Sequence, residues 1–204
     1  MVCFLTKSSW QIQSKANKIL VVLDLDETLI HATKSPSLQN WSFEVGPYKV
    51  AIRPGLDEFL AGLRSHFNVA VWSSASDDYV LEVVRNIFLL NYPLEFVWGR
   101  SRCTLKQDFS RIEAYGYSDP YNHLSYVKPL QKVAKKGFAR LENMLIIDDT
   151  PSKSRYNYGN AIYPSEFTGD PEDMELAALL KYLLTLKDVT NVRTIEKRSW
   201  RDRV

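Results

Sequence analysis

The chain has 204 residues, of which 45% are hydrophobic and 25% charged, and its formal net charge is +2. These values are typical of one ordinary soluble globular domain. The chain lacks the strong positive charge that general nucleic-acid binding would need. No apolar run approaches the length of a membrane span, and the cysteines, Cys3 and Cys103, could form at most one bridge.

The chain opens on residues 1–17, which have weak periodicity and which we interpret as a lead-in to a domain over residues 18–190. The first predicted strand covers residues 18–23. It is uniformly aliphatic from Ile19 onwards, which is typical of a strand buried on both faces of a parallel sheet.

Two carboxylates follow this strand directly. Asp24 and Asp26 point to the same side if the strand persists, and Thr28 offers a hydroxyl where the chain leaves it. A carboxylate pair there lies where open α/β sheets bind ligands, and it repels itself unless a cation or a shared proton intervenes. Oxygen ligands suit Mg²⁺, so one interpretation is a divalent-ion site. The other is that the carboxylates only cap the next element.

A β-hairpin is predicted close to these carboxylates. Residues 41–45 and 48–52 each alternate between polar and apolar side chains, and a Gly-Pro pair separates them. The preceding residues 31–40 are rich in Ser and Pro, and we interpret them as a loop.

Further along, strands and helices are predicted to alternate, which is the pattern of a mostly parallel sheet with helices on both faces. Helices are predicted to begin at residues 53–55, at Ser76, after residues 128–129 and at residues 170–171, and strands to cover residues 68–72, 94–98, 144–147 and 160–163. Residues 99–126 are interpreted as a long, functional or partly structured loop. Residues 191–204 are basic, and we interpret them as a solvated tail.

Polar residues follow three of the predicted strands, namely Asp24 and Asp26, then Ser73, then Asp148 and Asp149. Because parallel strands end at one edge of a sheet, these side chains are expected to cluster, together with Lys128. A carboxylate can attack phosphorus, Mg²⁺ neutralises charge, and a hydroxyl and an ammonium hold the transferring oxygens. Taken singly, residues 148–149 would more often be a capping turn and Lys128 a solvated lysine.

The run Asp-Leu-Asp-Glu-Thr-Leu at residues 24–29 resembles the first motif of haloacid-dehalogenase-type phosphotransferases. Residues 18–190 more narrowly resemble the small C-terminal-domain phosphatases of the FCP/SCP-like, NLI-interacting-factor type, which dephosphorylate the tail of RNA polymerase II. The resemblance implies a Rossmann-like fold, an aspartyl-phosphate intermediate and Mg²⁺ as cofactor. Asp24 matches the nucleophile, which is also a metal ligand. Asp26 matches the general acid/base, whose backbone carbonyl binds the metal. Lys128 matches the catalytic lysine.

The resemblance also implies roles for the remaining positions. Ser73 matches a hydroxyl residue that contacts the phosphate, and Ser74, one place later, is the competing candidate. Asp148 and Asp149 match the metal-binding fourth motif. Three further residues are expected to contact the substrate, namely Thr28, Tyr79 and Arg100. Of these, Tyr79 and Arg100 match positions that line the substrate entrance.

The segments between successive motifs are too short to hold a large cap domain over the site. An open site fits a phosphate presented on a flexible segment, so phosphoserine or phosphothreonine in a protein is the expected substrate. The alternatives are a small phosphorylated metabolite, or a non-catalytic binding module like the mitochondrial import receptor of this fold. We also expect a monomer without nucleic-acid or membrane contacts. Its expected location is intracellular, in the cytoplasm, or the nucleus of a eukaryote.

Overall fold

The sheet that carries the predicted strand ends has five parallel strands, which lie in the order Ala161–Ile162, Met144–Ile147, Leu20–Leu23, Asn68–Trp72 and Leu94–Trp98. A computed structural model describes residues 18–35, 40–108 and 124–204, so the predicted lead-in at residues 1–17 lies outside the described residues. In chain order, the elements are β1 (Leu20–Leu23), β2 (Ile30–Thr33), β3 (Phe43–Val45), β4 (Tyr48–Ile52), α1 (Leu56–His66), β5 (Asn68–Trp72), α2 (Asp77–Ile87), β6 (Leu94–Trp98), β7 (Thr104–Gln107), β8 (Leu124–Val127), α3 (Gln131–Lys135), β9 (Met144–Ile147), α4 (Pro151–Ser154), β10 (Ala161–Ile162) and α5 (Glu175–Leu186).

The central strand β1 is buried on both faces, as its aliphatic sequence predicts, and none of its residues is more than 1% exposed. Val21 and Leu23 pack into the cluster that includes the apolar faces of α1, α2 and α5. Leu20 and Val22 point to the opposite face, where they pack with Val133 of α3. The predicted parallel sheet with helices on both faces is therefore confirmed.

The predicted hairpin is formed by β3 and β4, which pair antiparallel with Val45 opposite Tyr48. It carries a third strand, because β2 pairs antiparallel with β4 and places Ile30 opposite Ile52. The prediction of a loop is thus wrong for residues 31–33. Apolar and polar side chains alternate there, as in a half-buried strand, but the stretch is short and the Ser/Pro-rich residues follow at once.

The described residues of the predicted long loop, 99–108 and 124–126, contain regular structure, in keeping with a partly structured loop. The strands β7 and β8 pair antiparallel, with Thr104 opposite Val127, and a 3₁₀ turn at Arg100–Arg102 precedes them. Apolar and polar residues do not alternate regularly along either strand, which conceals the strand period in the sequence. Residues 109–123 of this stretch lie outside the described ones. Within the described ranges, the insertions between core strands are the sheets β2-β4-β3 and β7-β8, and neither is a large cap domain.

The last helix begins later than residues 170–171 predict. Helix α5 starts at Glu175, and the carboxylate of Asp173 accepts the backbone N–H of Glu175 (2.9 Å). The two oxygens of Asp173 also accept hydrogen bonds from the buried guanidinium of Arg53 (2.9 and 2.8 Å), which holds the preceding turn out of the helix. No helix in the described part of the chain is both long and apolar enough to cross a bilayer.

The prediction of a solvated tail at residues 191–204 is corrected by the structure. Trp200 is 1% exposed, its ring lies 5.8 Å from that of Tyr182 on α5, and its Nε1 donates to the carbonyl of Tyr163 (3.2 Å). Lys197 is also buried and donates to three backbone carbonyls, among them that of Gly159 (2.8 Å). The prediction rested on the basic composition of these residues. In the structure, a few widely spaced apolar residues pack against the domain and hold the segment in place.

Replacing Trp200 with Ala is expected to lower the free energy of unfolding by about 3–5 kcal/mol, because a buried aromatic side chain is lost. Trp41→Ala is the matched control, since Trp41 is 42% exposed and contacts Lys49 through its ring face. We expect the control to cost about 1 kcal/mol or less. Urea denaturation measures both values. A Trp200 variant as stable as the wild type would contradict the packed position of residues 191–204.

Candidate active site

The carboxyl ends of β1, β5 and β9 meet at one edge of the sheet, as the sequence predicts. Leu23 pairs with Ile147 in parallel register, and the backbone N–H of Asp24 donates to the Ile147 carbonyl (2.9 Å). Asp24 and Asp148 therefore leave their strands side by side, and Ser73 follows β5 on the other flank of β1. The chain winds outwards from β1 in both directions, and open α/β sheets bind ligands at such a switch point.

Lys128 lies buried between two of these carboxylates. Its Nζ is 2.6 Å from Oδ2 of Asp24 and donates to Oδ2 of Asp148 (2.9 Å), and all three side chains are at most 1% exposed. Burial alone would lower the pKa of Lys128, but Asp148 and Asp24 raise it above its ordinary value. Burial raises the pKa of Asp24, and the charge of Lys128 opposes that rise. Lys128 is thus no solvated surface lysine.

Three carboxylates at this edge form a candidate metal site. One oxygen from each of Asp24, Asp148 and Asp149 lies within 4.8 Å of the others. Both Asp149 oxygens are oriented by hydroxyls, since Thr28 donates to Oδ1 (2.8 Å) and Thr150 to Oδ2 (2.8 Å). An all-carboxylate set with fixed oxygens fits Mg²⁺ better than Zn²⁺, which favours nitrogen and sulfur ligands.

Asp26 is held by a different set of side chains. The Tyr79 hydroxyl donates to its Oδ1 (2.6 Å), and the Ser73 hydroxyl donates more weakly to its Oδ2 (3.4 Å). Burial, together with the charge and hydrogen bond of Asp26, raises the pKa of Tyr79 far above its ordinary value, so the phenol remains a donor. Asp26 is thus oriented by Ser73, which directly follows β5, and by Tyr79 of α2.

The two candidate serines differ in what they contact. Ser73 is 1% exposed, and its Oγ, besides donating to Asp26, accepts the backbone N–H of Ala75 (3.0 Å). Ser74 is partly exposed, and its carbonyl accepts a hydrogen bond from Nε of Arg100 (2.8 Å). Ser73 is therefore the serine whose hydroxyl lies among the carboxylates.

An open cavity of about 260 Å³ leads to Asp26 from the solvent. Its walls come from the β2-β4-β3 sheet and from the start of α2, and its lining residues are Asp26, Glu27, Ala32, Tyr48, Ala75, Ser76, Tyr79 and Arg100. Both predicted entrance residues, Tyr79 and Arg100, line this cavity. The Arg100 guanidinium is further held 5.3 Å from the ring centre of Tyr126.

Thr28, another expected substrate contact, is not among the residues that line this cavity. It is fully buried, donates to Asp149 and accepts the Asp149 backbone N–H (3.1 Å). Its own carbonyl accepts a hydrogen bond from Arg53 (2.9 Å), which is also fully buried. Arg53 was not singled out from the sequence, because an Arg before a Pro-Gly pair reads as an ordinary helix start.

Two further charged residues of the site were also missed. Burial raises the pKa of Glu27 to about 7, and the charges of Asp26 and Asp149 add to that rise. Lys153 reaches back to the nucleophile candidate, with its Nζ 3.8 Å from Oδ2 of Asp24. Glu27 could have been found from its position inside the first motif, and Lys153 from its place just after the fourth.

Comparisons with known proteins agree on one family. The model of the NLI interacting factor-like phosphatase family matches residues 19–193. Nuclear envelope morphology protein 1 of Saccharomyces cerevisiae is 29% identical over 190 residues, which cover 86% of this chain and 40% of that protein. Carboxy-terminal domain RNA polymerase II polypeptide A small phosphatase 1 of Homo sapiens is 27% identical over 188 residues, covering 88% and 64%. The chain therefore spans only part of these relatives.

The fold is shared with a solved structure. Fcp1, described as an essential RNA polymerase II CTD phosphatase, superposes with a TM-score of 0.63 at 16% sequence identity. The match covers 87% of this chain and 69% of that chain. At this identity the likeness concerns the arrangement of strands and helices.

Lys128→Met is expected to lower the free energy of unfolding by about 3–5 kcal/mol at neutral pH, because it leaves two buried carboxylates without a counter-charge. Burial already raises the pKa of Asp24, and that pKa should rise further once the opposing charge of Lys128 is removed, so the folded variant binds more protons than the unfolded chain above about pH 4. Its stability should consequently fall as the pH increases, and the deficit relative to the wild type should shrink on acidification.

Urea titrations over a series of pH values measure this deficit. Lys187→Met is the matched control, since Lys187 is 41% exposed and pairs with the exposed Asp188. A deficit of the same size at about pH 5 and about pH 8 would contradict the compensating role of Lys128.

Proposed function

Because the chain belongs to the family of NLI interacting factor-like phosphatases, we propose that it hydrolyses phosphate monoesters through a covalent phosphate on Asp24. The observation that supports this most is the convergence of Asp24, Lys128 and Asp148 beside Asp149 at the switch point of the sheet. A nucleophile, a cation and metal ligands are the groups that phosphoryl transfer requires of a protein.

In the first step, a carboxylate oxygen of Asp24 attacks phosphorus and forms a new P–O bond. The P–O bond to the substrate alcohol breaks, and the leaving oxygen takes a proton from Asp26. Lys128 remains charged and holds the Asp24 carboxylate in place through its contact with Oδ2. The products of this step are the free alcohol, deprotonated Asp26 and an acyl phosphate on Asp24.

In the second step, water attacks the acyl phosphate while Asp26 takes a proton from it. Inorganic phosphate leaves, and both aspartates return to their starting protonation states. The hydrogen bonds from Tyr79 and Ser73 orient the Asp26 carboxylate for both transfers. Ser73 is also the hydroxyl proposed to contact the phosphate, and it could shift to that contact from its long bond with Asp26.

The metal ligands proposed for Mg²⁺ are Asp24 and Asp149, and Asp148 lies in the same cluster of carboxylates. The family resemblance adds the backbone carbonyl of Asp26 as a further proposed ligand. The Asp26 side chain is not proposed as a ligand, since Tyr79 and Ser73 already hold its two oxygens. When bound, Mg²⁺ offsets negative charge between the carboxylates and the phosphate.

The proposed substrate is phosphoserine or phosphothreonine within a protein. An open cavity at Asp26, bordered by Arg100 and by the rings of Tyr48 and Tyr79, suits a phosphate carried on an extended segment. The guanidinium could pair with an acidic or phosphorylated neighbour of the reacting residue, and the rings could pack against its flanking side chains. The human relative that is 27% identical is named as a phosphatase of a polypeptide C-terminal domain.

Turnover of phosphopeptides is expected to require Mg²⁺. Excess chelator should abolish hydrolysis of a phosphoserine peptide and of an aryl phosphate, and added Mg²⁺ should restore both. The phosphopeptide should have a higher kcat/KM than sugar or nucleotide phosphates. Undiminished activity in chelator would remove the metal from the proposal, and a preference for the small metabolites would change the substrate class. No turnover of any phosphate ester would favour a binding module.

Substitution of the two aspartates should separate their roles. Asp24→Asn should remove both turnover and covalent labelling, because an amide cannot form the acyl phosphate. Asp26→Asn should still be phosphorylated by an aryl phosphate, whose leaving group needs little protonation, but hydrolysis should slow by about 10²–10⁴-fold. The phosphoenzyme should therefore accumulate in that variant.

Intact-mass spectrometry after a rapid quench measures the added phosphate. An adduct on Asp26 in the Asp24→Asn protein would exchange the two roles. If neither the wild type nor Asp26→Asn carried an adduct, the covalent mechanism would be wrong.

A further inference from the structure

Lys153 approaches the same oxygen of Asp24 that Lys128 contacts. Its Nζ lies 3.8 Å from Oδ2 of Asp24, compared with 2.6 Å for Lys128. The Lys128 side chain is fully buried, whereas that of Lys153 is 27% exposed. The nearer cation is thus enclosed by the protein, whereas the more distant one is partly exposed to solvent.

The backbone keeps Lys153 in this position. It lies in α4, where its N–H donates to the carbonyl of Thr150 (3.1 Å) and its own carbonyl accepts the backbone N–H of Lys128 (2.9 Å). Lys153 is therefore fixed to the segment that carries Asp149 and also to the segment that carries Lys128.

The two lysines differ in their capacity to bind an incoming anion. Nζ of Lys128 is already engaged by Asp24 and Asp148. Nζ of Lys153 is beyond hydrogen-bonding distance of Asp24, so its donors are not committed to that carboxylate. Its charge nevertheless acts on the site, since it opposes the burial that raises the pKa of Asp24 and of Glu27.

The negative charge of the surroundings favours a second protein cation for anion binding. The carboxyl groups close to the reaction centre are those of Asp24, Asp26, Glu27, Asp148 and Asp149. A phosphate monoester adds further negative charge, and Lys128 is neutralised by its two partners. A solvent-accessible ammonium beside the nucleophile would reduce the repulsion where the phosphate must enter.

We propose that Lys153 is a second phosphate-binding cation of the active site, which donates hydrogen bonds to the non-bridging oxygens of the transferring phosphoryl group. This inference rests on the proposed function. Lys153 keeps its proton throughout: the bond from Asp24 to phosphorus forms, the bond from phosphorus to the substrate oxygen breaks, and the proton still comes from Asp26. Since it touches the phosphoryl group, Lys153 is a catalytic residue that acts by charge and position.

A different role would be to balance the charge of Asp24 while no metal is bound. The two roles predict different effects of removing Lys153 on Mg²⁺ binding and on phosphate binding. If Lys153 only balances charge, its removal should strengthen Mg²⁺ binding and leave phosphate affinity at saturating Mg²⁺ unchanged. If Lys153 binds the phosphoryl group, its removal should weaken phosphate binding at saturating Mg²⁺.

The test uses the full chain with Lys153→Met, which keeps the aliphatic stem, and Lys153→Arg, which keeps the charge. Lys187→Met serves as the control for loss of an exposed lysine. Isothermal titration calorimetry at saturating Mg²⁺ measures the Kd of inorganic phosphate. We expect Lys153→Met to raise this Kd by about 10- to 100-fold, the usual worth of a hydrogen bond to a charged group, and Lys153→Arg to recover much of the loss.

Kinetics supply a second readout that a merely structural role would not produce. Because the contact is to the phosphoryl group, Lys153→Met should lower kcat/KM by a similar factor for an aryl phosphate and for a phosphopeptide. An unchanged phosphate Kd would overturn the proposal, as would a loss that Lys187→Met reproduces. Phosphate binding that depends on Lys153 without turnover in the wild type would contradict the proposed function alone. A wild type that binds no phosphate would overturn both.

Discussion

The ion pair between Lys128 and Asp24, shared with Asp148, is the interaction on which this edge of the sheet depends. Parallel pairing of β1 with β9 brings two buried carboxylates out side by side, and their mutual repulsion would destabilise the fold. A buried ammonium between them offsets that charge, whereas removal of one member leaves the others uncompensated. The proposed reactive groups therefore also affect the stability of the fold, because each leaves a buried charge uncompensated when it is removed.

Lys128 owes its position to its backbone as much as to its charge. The side chain of Asn157 accepts the backbone N–H of Leu130 (2.8 Å) and donates to the carbonyl of Lys128 (2.8 Å). Ser154 donates to the same Asp148 oxygen that Lys128 contacts (3.2 Å). Residues from the segment after β9 thus hold both ends of the ion-pair network. A cation fixed in this way loses little further freedom when the reaction proceeds, which is the condition for effective electrostatic catalysis.

The sequence predicted those parts of the molecule that depend on local pattern. The aliphatic strands and the polar residues that follow them could be found because a buried parallel strand has a distinctive composition. Long-range contacts were not predictable in the same way. The Tyr79 bond to Asp26, the burial of Trp200 and the late start of α5 each depend on a partner distant in the chain. Composition misled at residues 191–204 for the same reason, since burial there is decided by neighbours and not by local charge.

The loop after β1 shows why the motif at residues 24–29 does not make a site by itself. Glu27 has a positive φ of 59°, which costs a non-glycine residue about 1–2 kcal/mol. Its carbonyl accepts the backbone N–H of Phe167 (2.8 Å), and the guanidinium of Arg53 lies 5.3 Å from the Phe167 ring while bonding the Thr28 carbonyl (2.9 Å). The strained turn is thus held by two distant segments, and only in that turn does the Thr28 hydroxyl reach Asp149. The orientation of the candidate metal ligand therefore depends on contacts that lie outside the motif.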